Sequence, residues 1–319
     1  MVVQRSKLKI AVLVATYNGE LYIKQQLDSI LHQKDVSDYD FEVFVYDDGS
    51  TDDTLNILKQ YGESIHLIPK DPEFQGVKSA IYTLLSYVKA DYYYFSDQDD
   101  VWEPNKVQQT QKSLRDLRNG IPGGVYSDLL LTDAQNDTKN ETMMGINGWS
   151  IDEKRSLSFL ILNSRVTGAA FAINREARDF ALKLPKKDFL AVSMHDAFLA
   201  LTIAAFDNLT FLPKPLVRYR QHGNNQIGAK RTFSQRINVC QRVKSLKKRL
   251  NDLIVLEKLA PFFPVDVQEE LKVFKDFTIH KDPFYRICLL AKNRKYWQDT
   301  SILKLLIIVV SCTSVGEIK

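Results

Sequence analysis

The sequence predicts an α/β fold in which a mainly parallel sheet is flanked by helices. Two observations support this fold class. Apolar runs of strand length alternate with segments of helical periodicity, and the links between them are short and rich in turn-forming residues. The chain has 319 residues, of which 45% are hydrophobic and 26% are charged, so it can bury a sizeable core. This composition excludes disordered, collagen-like and low-complexity chains.

The sequence of the first half predicts four strands, each followed by a turn or a helix. The strands are expected at residues 8–15, 41–46, 65–68 and 92–95, and helices at 21–31, at 76–89 and after Pro104. The first run is apolar throughout except for Lys9, which is typical of a central strand buried on both faces.

The second half continues this alternation up to a predicted domain boundary near residue 229. Residues 132–150 are polar without periodicity, so we expect a surface loop there. Further strands are predicted at 166–173, 209–212 and 216–219, and a helix at 197–206. We therefore expect an α/β domain over residues 1–229 and a separate helical, basic region over residues 230–319.

The C-terminal region differs from the body of the protein in charge. Residues 230–319 hold 18 Lys and Arg against 9 Asp and Glu, whereas residues 1–229 hold 25 against 30. Apolar residues recur at helical spacing from Val239 to Leu253, and a second helix is predicted over 267–277. A basic amphipathic helix of this kind is typical of contact with an anionic membrane surface or a nucleic acid. The alternative is a solvated helical face that packs on the core or forms a dimer contact.

Cysteine content and hydropathy limit the compartment. The three cysteines form no paired motif, which excludes a disulfide scaffold and a thiolate zinc site and favours a reducing compartment. Residues 1–9 are polar and basic, so we expect no secretory leader. We also expect no membrane-spanning helix, since no uncharged apolar stretch reaches about 18 residues.

Two acidic segments follow two of the predicted strands. One is Asp47-Asp48-Gly49-Ser50-Thr51-Asp52 and the other is Asp97-Gln98-Asp99-Asp100. In open α/β sheets, ligands bind beyond the carboxyl ends of the strands, where both segments should lie. Adjacent carboxylates repel one another unless a cation is bound, and Mg²⁺ and Mn²⁺ prefer such oxygen ligands. The alternative for each segment is a solvated turn that caps the following helix.

Together with Ala15-Thr16-Tyr17-Asn18-Gly19, these two segments resemble the inverting nucleotide-sugar glycosyltransferases of family 2, which have the GT-A fold. The resemblance spans about residues 8–228. Phe95 to Trp102, Met194-His195-Asp196 and Tyr219 to Asn225 are also similar to the branch of rhamnosyltransferases that builds bacterial cell-wall polysaccharides. Relatives with other sugar donors share these segments.

The resemblance implies a role for each matching residue. The family's D-x-D motif, which holds a divalent ion (Mn²⁺ or Mg²⁺), corresponds to Asp97 and Asp99, and His222 lies where some relatives reach the metal or the diphosphate. Asp196 matches the catalytic base. The remaining matches are expected to bind the nucleotide sugar: Ala15, Tyr17, Asp47, Asp48, Lys78, Asp97 and Gln98. This chain departs from many relatives in having Ala15 in place of Pro and His195 in place of an acid.

The implied reaction is an inverting transfer in which Asp196 accepts the proton of the acceptor hydroxyl. The expected donor is dTDP-rhamnose and the expected acceptor a lipid-linked saccharide in cell-surface polysaccharide synthesis. A UDP-hexose or UDP-N-acetylhexosamine donor is the first alternative. A sugar nucleotidyltransferase is another, although residues 16–20 lack its Gly-rich basic signature. A non-catalytic protein that binds through its basic tail is the third, and no nucleic-acid motif supports it.

A lipid-linked acceptor implies work at the cytoplasmic face of the cell membrane. We expect peripheral contact with anionic lipid through the basic helix at Val239 to Leu253, with Trp297 and Ile302 to Val310 inserting at the interface. A homodimer contact through the same region is the alternative.

Overall fold

A computed structural model describes residues 7–222, 239–280 and 282–297 of the chain. These residues fall into two units. The first takes residues 7–151, 166–182 and 208–222, and the second takes residues 152–165, 183–207 and the described residues from 239 onwards. The domain boundary predicted near residue 229 lies outside the described residues, as does the apolar stretch from Ile302 to Val310.

Strands of the first unit form one mixed sheet. The strands are β1 (Leu8–Thr16), β2 (Tyr39–Asp47), β3 (His66–Ile68), β4 (Tyr92–Ser96), β5 (Val101–Trp102), β6 (Gly124–Thr132), β7 (Thr138–Thr142), β8 (Phe171–Asn174) and β9 (Leu209–Arg220). Their order is β3-β2-β1-β4-β8-β6-β9-β5, and β7 pairs with β6. The α/β fold with flanking helices is confirmed, although β8, β5 and β7 run antiparallel to their neighbours.

Helices flank the sheet within the first unit, and other helices make up most of the second unit. They are α1 (Ile23–Leu31), α2 (Thr54–Lys59), α3 (Val77–Tyr87), α4 (Lys106–Arg115), α5 (Met143–Asn147), α6 (Leu157–Leu162), α7 (Arg175–Ala181), α8 (Lys186–Leu190), α9 (His195–Ala204), α10 (Val239–Lys258), α11 (Val265–Ile279) and α12 (Pro283–Lys292). The first unit contains α1 to α5 and α7, and the second contains the others.

The central strand β1 lies between two parallel neighbours. Val12 pairs with Val43 of β2 on one side and with Tyr94 of β4 on the other, and all three side chains are buried. Burial of an aliphatic side chain stabilises a fold by about 1.5–3 kcal/mol. The unbroken apolar run from Ile10 to Val14 therefore places β1 in the middle of the sheet, as predicted.

Two segments of the first unit differ from the expectation. The loop predicted over 132–150 contains β7 and α5 instead, and Thr142 caps α5 by accepting a hydrogen bond from the Gly145 amide at 3.1 Å. The strand β7 is mostly polar and exposed because it pairs only at the side of β6, so it carries no apolar alternation. The two strands predicted around Pro213 and Pro215 form the single strand β9. Its register with β6 shifts at this point, because proline lacks the amide that a regular ladder needs.

The second unit has its own aromatic core. Phe189 of α8 packs edge to face against Phe198 of α9, with ring centroids 5.9 Å apart. Trp297 is buried between Phe274 and Phe277 of α11, at centroid distances of 4.7 and 5.5 Å. The expectation that Trp297 inserts at a membrane interface is therefore wrong, because this indole fills the interior of the unit. Among the described residues, no helix combines the length and the apolarity that a membrane span requires.

Candidate functional site

The carboxyl ends of β1, β2 and β4 meet at one edge of the sheet. Thr16 at the end of β1 pairs with Asp47 at the end of β2, and Val14 pairs with Ser96 at the end of β4. The loops that follow these three strands therefore start side by side. The two acidic segments, which the sequence placed after separate strands, belong to the same edge of the first unit.

The loop after β4 carries a cluster of three carboxylates. Asp97, Asp99 and Asp100 each offer an oxygen, and these oxygens lie within 4.8 Å of one another. Asp100 is fully buried, while Asp97 and Asp99 are half-buried. In the described part of the chain, these three aspartates form a group of side chains that lie close enough together to bind one metal ion.

Asp100, which was not among the predicted site residues, has one satisfied and one unsatisfied oxygen. Its Oδ1 accepts the backbone amide of Arg220 at 3.0 Å, whereas its buried Oδ2 has no hydrogen-bond partner. Burial and the nearby charges of Asp99 and Asp97 raise the pKa of this carboxyl well above its usual range. A buried carboxylate oxygen without a partner, beside two more carboxylates, suits a hard divalent cation, so these residues fit the metal that the motif implies.

The side chain of Arg220 holds the backbone of this loop in place. Arg220 is buried at the end of β9, and its Nε donates to the carbonyl of Asp99 at 2.7 Å. Its two terminal nitrogens donate to Ala134 O at 2.7 Å and to Gln25 Oε1 at 2.6 Å. Arg220 is not among the predicted site residues, because nothing in its neighbouring residues distinguishes it from a solvated charge.

His222 contacts the acidic loop directly. Its Nε2 lies 2.8 Å from Oδ2 of Asp99, and its ring stacks on Tyr22 at a centroid distance of 5.0 Å. Tyr22 also contacts the guanidinium of Arg220, 4.7 Å from the ring centroid. The predicted metal residue His222 is thus placed beside the predicted metal residue Asp99, with an imidazole nitrogen facing the carboxylate.

A second buried charge, also missed by sequence reasoning, lies near the acidic cluster. The ammonium of Lys106 donates to the carbonyl of Ala169 at 2.8 Å and lies 3.5 Å from the ring centroid of Trp102. Burial lowers the pKa of Lys106 well below its usual range, while the charges of Asp100 and Asp97 act in the opposite direction. Lys106 therefore interacts electrostatically with the acidic cluster from within the core.

The loop after β2 uses its two aspartates differently. Asp47 Oδ2 accepts the amides of Gly49 at 3.0 Å and Ser50 at 2.9 Å, and Oδ1 accepts the Ser50 hydroxyl. Gly49 has φ of 94°, which favours glycine. Asp47 therefore shapes the turn with both of its oxygens.

Asp48, in contrast, uses only one of its two carboxylate oxygens in a hydrogen bond. Its Oδ2 accepts the amide of Gly76 at 2.6 Å, whereas its buried Oδ1 has no partner. Gly76 directly precedes α3, and Lys78 lies in the first turn of that helix. The contact between Asp48 and Gly76 therefore brings the start of α3, with Lys78, to the edge that carries the acidic loops.

Gln98 links the ends of β1 and β4. Its Oε1 accepts the Tyr17 amide at 2.8 Å and the Thr16 hydroxyl at 2.7 Å, and its Nε2 donates to the Tyr17 carbonyl at 3.1 Å. Ala15 is the preceding residue of β1, and the ring of Tyr17 is 54% exposed. Gln98 thus positions the backbone around Tyr17 and leaves its ring at the surface.

Asp196, the predicted base, lies in the second unit. His195 and Asp196 are the first two residues of α9, and both are buried. Asp196 Oδ1 accepts the amide of Ala197 at 2.6 Å. The first unit therefore brings together Ala15, Tyr17, Asp47, Asp48, Lys78, Asp97, Gln98, Asp99 and His222, and the second unit carries Asp196.

Comparisons with known proteins show which family the chain resembles. Residues 11–178 match the family described as glycosyl transferase family 2. The chain is 32% identical to the dTDP-rhamnosyl transferase RfbG of Shigella flexneri over 235 residues, which are 69% of this chain and 75% of that protein. It spans 33% or less of the length of several further glycosyltransferases that it matches.

Two solved structures share the fold. Residues 1–349 of Staphylococcus aureus TarS in complex with UDP-GlcNAc match with a TM-score of 0.54 and 16% identity, over 84% of this chain and 70% of that one. The mannosyltransferase PcManGT from Pyrobaculum calidifontis, in complex with GDP-Man and Mn²⁺, matches with a TM-score of 0.52 and 18% identity, over 96% and 87%.

Proposed function

Since the chain belongs to glycosyl transferase family 2 and is a glycosyltransferase, we propose that it moves L-rhamnose from dTDP-rhamnose to a lipid-linked saccharide in bacterial cell-surface polysaccharide synthesis. The observation that carries the proposal is the shared edge of β1, β2 and β4. Two buried carboxylate oxygens there, Asp48 Oδ1 and Asp100 Oδ2, have no hydrogen-bond partner. Asp48 Oδ1 suits the N–H donor of a nucleotide base, and Asp100 Oδ2 suits a cation.

Asp48 and Tyr17 bind the base in this proposal. Thymine and uracil each carry one ring N–H flanked by two carbonyls, and Asp48 Oδ1 accepts that N–H. The exposed ring of Tyr17 packs on the flat face of the base, and Gln98 holds the Tyr17 backbone so that the ring keeps its position. This pairing selects a pyrimidine with a protonated N3. The similarity to the dTDP-rhamnosyl transferase RfbG favours dTDP over UDP.

Asp97, Asp99, Asp100 and His222 hold a divalent ion, Mn²⁺ or Mg²⁺. The Mn²⁺ complex of PcManGT supports this choice of cofactor. When bound, such an ion supplies positive charge that stabilises the nucleoside diphosphate as it leaves. Lys78 adds a cation at the start of α3, and Arg220 keeps the acidic loop in the required conformation through the Asp99 carbonyl.

Asp196 is the general base. It accepts the proton of the acceptor hydroxyl while that oxygen bonds to C1 of the sugar and the bond from C1 to the diphosphate breaks. A base in this role contributes about 10²–10⁴-fold to the rate. Asp196 lies in the first turn of α9, at the positive end of the helix dipole. A single displacement inverts the anomeric centre.

Peripheral contact with the cytoplasmic face of the membrane brings the enzyme to a lipid-linked acceptor. With Trp297 buried, we assign this contact to an apolar surface of the described residues on α12, where Phe284 is 73% and Ile287 50% exposed. Lys292 ends this helix, and its cationic side chain favours anionic lipid.

Vesicle flotation tests the membrane contact. We expect the full chain to float with vesicles that contain phosphatidylglycerol, and a Phe284→Ser/Ile287→Ser variant to float less. Leu21→Ser, which removes a 77% exposed side chain from the first unit, serves as the control. Equal flotation of all three proteins would contradict the proposed contact surface.

A UDP-hexose or UDP-N-acetylhexosamine donor is the second candidate, and the UDP-GlcNAc complex of TarS favours it. The pyrimidine pairing at Asp48 serves either donor. Family membership leaves the nucleotidyltransferase and the non-catalytic tail-binding protein without support.

A donor screen tests the proposed function. Purified protein is incubated with dTDP-rhamnose, UDP-glucose, UDP-galactose or UDP-GlcNAc, a synthetic polyprenyl-diphosphate-linked saccharide, and Mn²⁺, Mg²⁺ or EDTA. Released nucleoside diphosphate is quantified, and the anomeric configuration of the product is read by NMR. We expect metal-dependent release with dTDP-rhamnose and inversion at C1. Release with a UDP-sugar alone would move the assignment to the second candidate, and retention would exclude the single-base mechanism.

A further inference from the structure

Helix α10, the first helix of the basic C-terminal region, contains a buried carboxylate. Asp252 has no exposed surface, and it lies in the second unit together with α6, α8 and α9. Its Oδ1 accepts the backbone amide of Ser193 at 2.5 Å, and its Oδ2 accepts the Ser193 hydroxyl at 2.5 Å. A single carboxylate thus holds one residue of a distant loop by both its main chain and its side chain.

Ser193 lies three residues before Asp196 and one residue before the N-cap of α9. That N-cap is Met194, whose side chain makes no capping hydrogen bond. Side-chain capping normally fixes where a helix starts and satisfies its first amides. Since α9 lacks such a cap, the two bonds from Asp252 to Ser193 restrain the chain directly before the helix begins.

Neighbouring contacts along α10 keep Asp252 in position. Arg249, three residues earlier, donates to the carbonyl of Leu162 at the end of α6 at 3.3 Å, and Lys258 pairs with Asp188 of α8 at 2.6 Å. A buried carboxylate is costly unless its hydrogen bonds are satisfied, and charge-assisted bonds are stronger than neutral ones. The two charge-assisted bonds of the buried Asp252 therefore anchor Ser193 strongly.

We propose that Asp252 is a positioning residue for Asp196: through Ser193 it sets the start of α9 and with it the place of the base. This inference rests on the proposed function, in which Asp196 takes the acceptor proton. It assigns the C-terminal region a part in catalysis that is separate from membrane contact. A displacement of about 1 Å at a reacting group costs on the order of 10²-fold in rate, so loss of the anchor reduces turnover rather than donor binding.

Three variants test the proposal in the full-length protein. In Asp252→Asn the side chain loses its charge and one acceptor oxygen becomes an NH₂ group, so the bonds to Ser193 are no longer charge-assisted. We expect kcat to fall about 10- to 100-fold while KM for the donor stays within about twofold. Ser193→Ala, which removes only the hydroxyl bond, should lower kcat less. Ser193→Thr keeps both donors and should retain wild-type kcat. Wild-type kcat in Asp252→Asn, or a rise in donor KM that accounts for the whole loss, would overturn the proposal.

Hydrogen–deuterium exchange at residues 193–198 gives a readout that does not depend on the substrate. Exchange should be faster in Asp252→Asn and remain unchanged in Glu153→Gln, which breaks the ion pair of Glu153 with Arg165 in the same unit. Unchanged exchange in Asp252→Asn, or equal acceleration in both variants, would overturn the anchor. If Asp196→Asn keeps full turnover, the base assignment fails and the catalytic inference fails with it, whereas faster exchange would still establish the anchor.

Discussion

Asp48→Asn tests whether the unpartnered oxygen of Asp48 binds the base. The wild-type side chain gives Oδ2 to the Gly76 amide at 2.6 Å and leaves Oδ1 buried without a partner. In the variant, the amide oxygen keeps the contact with Gly76, and the NH₂ group takes the place of Oδ1. The local structure is therefore preserved, while the acceptor that we propose to bind the base becomes a donor.

The expected loss follows from the hydrogen bond that disappears. A hydrogen bond to a charged group contributes about 1.5–3 kcal/mol. Since about 1.4 kcal/mol corresponds to a tenfold change in Kd, dTDP and UDP should bind about 10- to 150-fold more weakly to Asp48→Asn. The N3 atom of cytosine is an acceptor, so the new NH₂ group should improve the binding of CDP relative to dTDP.

Isothermal titration calorimetry with dTDP, UDP and CDP in the presence of Mn²⁺ measures these changes. Asp53→Asn is the matched control, because Asp53 follows the same loop and its carboxylate accepts an exposed bond from Asn56 at 2.7 Å. A general loss of folding would weaken all three nucleotides equally. If Asp48→Asn binds dTDP as tightly as the wild type, or if the preference between CDP and dTDP does not change, Asp48 does not read the base.

Three further predictions concern the metal, the base and the stability of the second unit. Asp99→Asn should reduce dTDP affinity in Mn²⁺ to the value measured with EDTA, and calorimetry that still shows a metal-dependent gain would count against this ligand. Asp196→Asn should lower kcat by about 10²- to 10⁴-fold with donor Kd nearly unchanged, and normal turnover would remove it from the base role. Burial raises the pKa of Glu270 from 4.5 to about 7. Because the folded protein holds this proton more tightly than the unfolded chain, the favourable contribution of Glu270 is complete below pH 4.5 and is lost as the pH rises through 7. Relative to Glu270→Gln, the wild type should lose up to about 3 kcal/mol of unfolding free energy across this range, and parallel urea curves for the two proteins would contradict it.

Features that depend on nearby residues were predictable from the sequence. The continuous apolar run of β1 required burial on both faces, and the acidic segments that follow β2 and β4 had to lie at the carboxyl edge of parallel strands. The motifs around Tyr17, Asp48 and Asp99 then sufficed to suggest the family. The segment over 132–150 escaped prediction because β7 pairs at the side of β6 and is not required to bury apolar residues.

Tertiary structure alone decided which charged groups are buried and what they hold. Arg220 reaches the carbonyl of Asp99 across 121 positions of sequence, and Asp252 reaches Ser193 across 59. Nothing in the neighbouring residues distinguishes these side chains from the solvated charges that surround them in the sequence. A charge can be buried only where a distant segment supplies its hydrogen bonds, so its role is determined when the chain has folded and both partners are in place.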